Sequence, residues 1–155
     1  MISLRPVIAA DAAWLDIWLT RVAESVGYDE IDGALPGRSL FARTRRERSV
    51  QARIVERDGA DAGLLVYLTA APKRGSAIIE LVATPPALAR RGSGMGAAAL
   101  AEYELRASGA RMVYAPAPAV HGIAMYFWIR LGYRPLMRAQ WPCERAGVAW
   151  LVREL

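Results

Sequence analysis

Glu80-Leu-Val-Ala-Thr-Pro-Pro-Ala-Leu-Ala-Arg-Arg-Gly-Ser-Gly-Met-Gly-Ala97 joins an apolar strand to an alanine-rich helix through a loop with glycines at 92, 94 and 96. Ile78, Ile79, Leu81 and Val82 form the β-branched and aliphatic run of a buried strand, and Pro85 and Pro86 end it. Glycine at alternate positions lets the backbone approach a ligand closely. The first free N–H groups of the following helix, and the positive end of its dipole, point toward the loop. An anion is stabilised there, and Arg90 and Arg91 add formal charge.

The kind of anion is narrowed by exclusion. A P-loop needs Lys followed by Ser or Thr after its last glycine, whereas Gly96 precedes Ala97, Ala98 and Ala99. A dinucleotide fold needs an acidic residue about 20 positions beyond the glycines, and the region from Arg111 to Gly122 contains none. The remaining pattern, Arg91-Gly92-Ser93-Gly94-Met95-Gly96 between strand and helix, resembles the acyl-CoA pyrophosphate loop of the GNAT superfamily of N-acetyltransferases. A second segment supports the resemblance. His121-Gly-Ile-Ala-Met-Tyr-Phe-Trp-Ile-Arg-Leu-Gly-Tyr133 is similar to the family's other CoA-contacting stretch, matching it at Ala124, Leu131-Gly132 and Tyr133. It departs at His121, where Asn is common, and at Trp128, where the family often carries a tyrosine general acid.

The chain of 155 residues, 54% of them hydrophobic, suits one well-buried domain, taken as residues 1–155. No run approaches the ~20 apolar residues of a membrane span, and the start lacks a signal-peptide layout, so a cytoplasmic protein without membrane partners is expected. One cysteine, Cys143, and one histidine give neither a disulfide nor a conventional metal site. The net charge of +5 reads either as a nucleic-acid surface or as a bias toward a polyanionic ligand. Of 20 basic residues only Lys73 is lysine, and the one cluster, Arg43 to Arg48, reads most simply as a solvated helix face. No nucleic-acid partner is expected, because aromatic residues do not interleave with the cations.

Along the chain, Ser3 to Pro6 reads as a strand, and a helix from Ala10-Asp11 carries Trp14, Leu15, Trp18, Leu19 and Val22 at helical spacing. A loop from Ser25 to Gly37 precedes a second helix, about Ser39 to Glu47. A hairpin follows, Gln51 to Glu56 and Gly63 to Thr69, turning at Asp58-Gly59. Next come the strand Ala77 to Thr84, the glycine loop, a helix to about Ser108, a strand Met112 to Ala115, the helix of the second segment, and strands near Tyr133 to Gln140 and Val148 to Arg153. The order βααβββαβαββ predicts an α/β (α+β) fold, a mixed and mostly antiparallel sheet of about seven strands flanked by about four helices. The GNAT resemblance implies the same fold, with fourth and fifth strands that splay to admit CoA.

The resemblance also implies a function: transfer of an acetyl group from acetyl-CoA to a primary amine, by direct attack in a ternary complex. The pantetheine arm would pair with backbone near Val82 and Ala83, and the pyrophosphate would sit on Arg90, Arg91, Gly92, Ser93, Gly94, Met95, Gly96 and Ala97, with His121 and Trp128 beside it. Packing of helix on strand without a ligand is the alternative for the glycines. The amine must lose a proton before it attacks. Glu80 occupies the strand position where many family members carry a catalytic carboxylate. Period-two alternation faces it with Ile78 and Val82, opposite Leu81. An ion pair with an arginine is its other reading. Trp128 donates a hydrogen bond but is not an ordinary acid, Tyr126 lies about 200° around the helix from it, and Tyr133 holds a core position. His121 remains as an acid/base candidate, or as a helix-start residue bonding backbone or pantetheine. Tyr28, Asp29, Glu30 and Asp32 would offer an acceptor negative charge beside an aromatic ring, or form a solvated turn. Trp141 would wall the acceptor pocket or fill core. A non-catalytic acyl-CoA-binding module is the rival reading, motivated by Trp128. Family members often form homodimers, so a homodimer is a further expectation.

Overall fold

The computed structural model describes residues 1–26 and 36–155. Its elements are β1 (Ile2–Pro6), α1 (Ala12–Val26), α2 (Pro36–Arg46), β2 (Val50–Arg57), β3 (Ala60–Thr69), β4 (Ser76–Ala83), α3 (Ser93–Ala107), β5 (Met112–Pro118), α4 (Gly122–Arg130), β6 (Arg134–Pro135) and β7 (Val148–Glu154). The strands form one sheet in the order β1-β2-β3-β4-β5-β7-β6. Among the described residues only β4 and β5 pair in parallel, joined through α3; every other pair is antiparallel. The β2–β3 turn has Asp58 at φ 53° and Gly59 at φ 81°, the left-handed pair that matches the twist of a two-residue hairpin.

Both faces of the sheet are covered. Ile54, Leu64, Val66 and Leu81 pack against Leu15, Trp18, Leu19 and Leu40 of α1 and α2. On the opposite face Val55, Leu65, Ile79, Val113 and Leu151 pack against Ala97, Ala98, Ala101 and Leu105 of α3 and Trp128 of α4. The alanines let α3 lie close to the strands, so the helix N-terminus is held over the C-terminal end of β4.

A β-bulge at Glu80 changes the expected facing. Tyr67 of β3 pairs with Ile79 and Val66 pairs with Leu81, which leaves Glu80 without a cross-strand partner. Ala77, Ile79 and Val82 therefore pack toward α3 and α4, whereas Leu81 and Ala83 pack toward α1 and α2. Glu80 points to the α2 side, so it shares a face with Leu81 and not with Val82, the reverse of simple alternation. The expected sixth strand is also shorter than its sequence pattern. Only Arg134–Pro135 pairs as strand; the Leu136 amide still donates to the Trp150 carbonyl at 2.9 Å, and the 3-10 turn at Arg138–Gln140 then carries the chain out of the ladder.

The entry to α1 is fixed by Asp11. Its carboxylate accepts hydrogen bonds from Arg5 Nη1 and Nη2, both at 2.9 Å, and from the Ile8 amide at 2.8 Å. The Arg5 guanidinium holds the Asp11 pKa below its usual value, with the Ile8 amide adding to the effect. A depressed folded-state pKa contributes stability above the unfolded pKa that is lost as pH falls through the folded one. Asp11→Asn is expected to cost about 2 kcal/mol near neutral pH. Thermal melts of parent and variant should converge as pH drops below about 4.

Candidate active site

β4 and β5 pair only at Ser76–Met112, Ala77–Val113 and Ile78–Tyr114. β4 continues to Ala83 and β5 to Pro118 without further bonds between them. The backbone of Ile79 to Ala83 on that side is thereby released from the sheet, and the strands form the two walls of a wedge. The wedge opens into a cleft of about 960 Å³ between β4, the loop before α3, and α4. Val82, Leu88, Pro116, Ile123 and Phe127 make its walls largely apolar, and Arg90, Arg91 and Arg130 stand at it. All three arginines are exposed.

The loop geometry brings the α3 N-terminus to this cleft. Arg90 at φ 62° and Gly92 at φ 80° are both left-handed, and Gly92 is the residue that caps α3. The first intrahelical bond of the turn runs from the Gly96 amide to the Gly92 carbonyl. The amides of Ser93, Gly94 and Met95 have no acceptor within the helix. The Arg91 carbonyl accepts a hydrogen bond from Arg57 Nη1, tying the loop to β2.

Arg90 to Met95, Val82, His121 and Trp128 all line the cleft. Gly96 is turned away: a Cβ there would stand 3.0 Å from Ile2 Cγ1. Ala97 is fully buried against the sheet. The Ala83 side chain faces α1 and α2. His121 caps α4, with its amide donating to the Pro118 carbonyl at 3.2 Å. Trp128 is 4% exposed and packs against Phe127 and Tyr133, so only an edge reaches the cleft. Tyr133 is buried beside it, and burial, reinforced by the charge of Glu102, raises its phenol pKa far above the ordinary value. It holds its proton and is not placed to donate one. Trp141 is partly buried, packed on the cluster of Ile78, Val148 and Trp150 with its Nε1–H donating to the Leu136 carbonyl at 3.2 Å, and it does not line this cleft. Tyr28, Asp29, Glu30 and Asp32 lie outside the described residues.

Glu80 reaches the cleft but is 4% exposed and ion-paired. Arg43 Nη1 donates to its Oε2 at 2.8 Å and Nη2 to its Oε1 at 3.4 Å. Arg145 Nη2 stands 4.0 Å from Oε1. Arg43 is thus not part of a solvated face. It is 7% exposed and turns inward, while Arg45, Arg46 and Arg48 keep to the outer side of the helix and the turn after it. Burying one guanidinium is tolerated because a buried carboxylate meets it. Sequence reasoning also gave no cleft role to Tyr126, which lines the cleft under the Arg130 guanidinium at 5.8 Å from the ring centroid. Neither partner of Glu80 carries a local signal, since both are separated from it by tens of positions.

No protein-family profile matches the sequence, and no curated protein sequence is similar to it. Solved structures do resemble it. An acetyltransferase from Thermus thermophilus superposes with a TM-score of 0.78 at 20% identity, over 100% of this chain and 97% of that one. An acetyltransferase of the GNAT family from Staphylococcus aureus gives 0.77 at 9% identity, over 99% of each chain. The PaiA N-acetyltransferase of Thermoplasma acidophilum, solved with coenzyme A, gives 0.73 at 12% identity, over 100% and 99%. With its parted β4 and β5, its bulge at Glu80 and its glycine-capped α3, this chain has the GNAT fold.

Proposed function

We propose that the protein is an acetyl-CoA-dependent N-acetyltransferase acting on a primary amine by direct attack within a ternary complex. The observation that carries this reading is the wedge itself. Unpaired β4 backbone, an apolar wall and the first-turn amides of α3 beside arginines follow one another along a single cleft. An acyl carrier with an apolar arm and a polyanionic end fits that sequence of surfaces, and the structural resemblance to acetyltransferases supports it.

In this reading Ser93, Gly94, Met95, Arg90 and Arg91 hold the pyrophosphate, and the backbone of Val82 and Ala83 holds the pantetheine arm. Acetyl-CoA supplies the acyl group as a thioester: a C–N bond to the amine forms and the C–S bond breaks. The chain's own residues must take one proton from the ammonium and leave the thiol protonated. Glu80 is the acceptor for the first, acting directly or through water on the Oε1 edge, the longer-bonded side of its pair with Arg43. His121, half-buried at the start of α4, is the candidate for the second. The rival is a binding module without turnover, favoured by the indole of Trp128 where a hydroxyl is usual.

Titration calorimetry with acetyl-CoA, followed by a CoA-release assay over a panel of primary amines, tests the reading. Saturable one-to-one binding with amine-dependent release is expected. Binding without release from any amine favours the module, and no binding at millimolar ligand defeats both.

A further inference from the structure

We propose that Arg145 is an acceptor-binding residue, and that the acceptor is a small amino acid, a primary amine carrying a carboxylate one or two carbons away. The proposal rests on the acetyl-transfer reading and names its substrate class. Both oxygens of Glu80 are already taken by Arg43. Arg145, at 4.0 Å, is too distant for a hydrogen bond to that carboxylate. Its guanidinium lies 5.6 Å from the centroid of the Trp150 ring, and Trp150 is fully buried, so the cation is held from behind by a fixed indole. The side chain is 20% exposed. Desolvating a guanidinium without a carboxylate in hydrogen-bond reach among the described residues is unfavourable for folding alone. A planar fork held on an aromatic face suits a carboxylate.

The location agrees with this role. Arg145 lies just before Val148, whose pairing with Pro118 closes the β5–β7 ladder at the end where β4 and β5 part. Arg145 therefore stands beside the Glu80 carboxylate, near the end of the sheet where β4 and β5 part. With cation and carboxylate 4.0 Å apart, a ligand that touches both must carry its own amine and carboxylate close together, not on a long spacer. The acceptor's carboxylate would take the guanidinium, and its nitrogen would then lie beside Glu80.

The test is ligand-observed saturation-transfer NMR on the CoA-loaded protein, using matched products. N-acetyl-leucine, N-acetyl-phenylalanine and N-acetyl-β-alanine are compared with the acetamides of 3-methylbutylamine, 2-phenylethylamine and ethylamine. The wild type is expected to show binding for the acids and at least tenfold less for the neutral partners. Arg145→Leu should abolish that preference, Arg145→Lys should retain part of it, and CoA affinity should be unchanged in both. If Arg145→Leu fails to fold, Arg145→Gln and the lysine variant carry the same comparison. Equal binding of acids and neutral partners, an acid preference that survives in Arg145→Leu, or no acid binding with CoA binding intact overturns the proposal. Failure of the protein to bind CoA defeats the acetyl-transfer reading instead, and the CoA titration detects it independently.

Discussion

Arg43→Ala should lower the unfolding free energy by about 3 kcal/mol at pH 7, because it strands a carboxylate in the interior. Glu80 keeps only Arg145 as a neighbouring cation among the described residues, too far for a hydrogen bond, and the Arg43–Glu47 contact at 3.5 Å is lost as well. The accompanying change Glu80→Gln distinguishes charge from packing. If the cost arises from the unpaired charge, adding Glu80→Gln to Arg43→Ala should recover more than half of it, giving a coupling energy of about 1.5 kcal/mol or more in urea unfolding. Glu80→Gln alone should leave the fold intact and, if Glu80 accepts the amine proton, lower kcat with a preferred amine by roughly 100-fold while leaving acetyl-CoA affinity within a factor of about two. Unchanged turnover would remove Glu80 from the proton path and leave it as the anchor that joins α2 to the bulge of β4.

The bulge explains why this part of the site was only half legible in the sequence. Glu80 announces itself as a carboxylate in an apolar strand, but its facing depends on β3 pairing around it, which no local pattern encodes. Arg43 sits in a run of arginines that differ by helical phase, and phase against the core is a tertiary property. The glycine loop was more legible because its information is local. Prolines end the strand, Gly92 adopts a left-handed φ, and alanines bring α3 onto the sheet. The same reasoning that worked for β4 and α3 overextended β6, where a run of mixed residues after Tyr133 reads as strand but the 3-10 turn at Arg138–Gln140 ends it soon after Leu136.

The glycines at 94 and 96 look equivalent in sequence, and their surroundings predict opposite consequences of substitution. A Cβ on Gly94 would stand 3.3 Å from Val82 Cγ1 and 3.5 Å from Phe127 Cε2. These are side chains of the two cleft walls, so a branched side chain there fills the narrow passage between β4 and α4. Gly94→Val is expected to weaken acetyl-CoA binding by on the order of 100-fold, about 2.7 kcal/mol, without loss of secondary structure. A Cβ on Gly96 instead meets Ile2 Cγ1 at 3.0 Å, on the β1 side of the helix and outside the cleft. That contact opposes a helix-propensity gain of about 0.5–1 kcal/mol for replacing glycine by alanine, and Ile2 is a partly exposed side chain next to the first residue that can shift. Gly96→Ala should therefore change stability by less than about 1 kcal/mol and leave the affinity for acetyl-CoA unaltered. Calorimetry on the two variants side by side checks the assignment. Equal loss of binding in both would mean that the ligand senses the whole first turn of α3. Retention of binding in Gly94→Val would place the ligand elsewhere than between Val82 and Phe127.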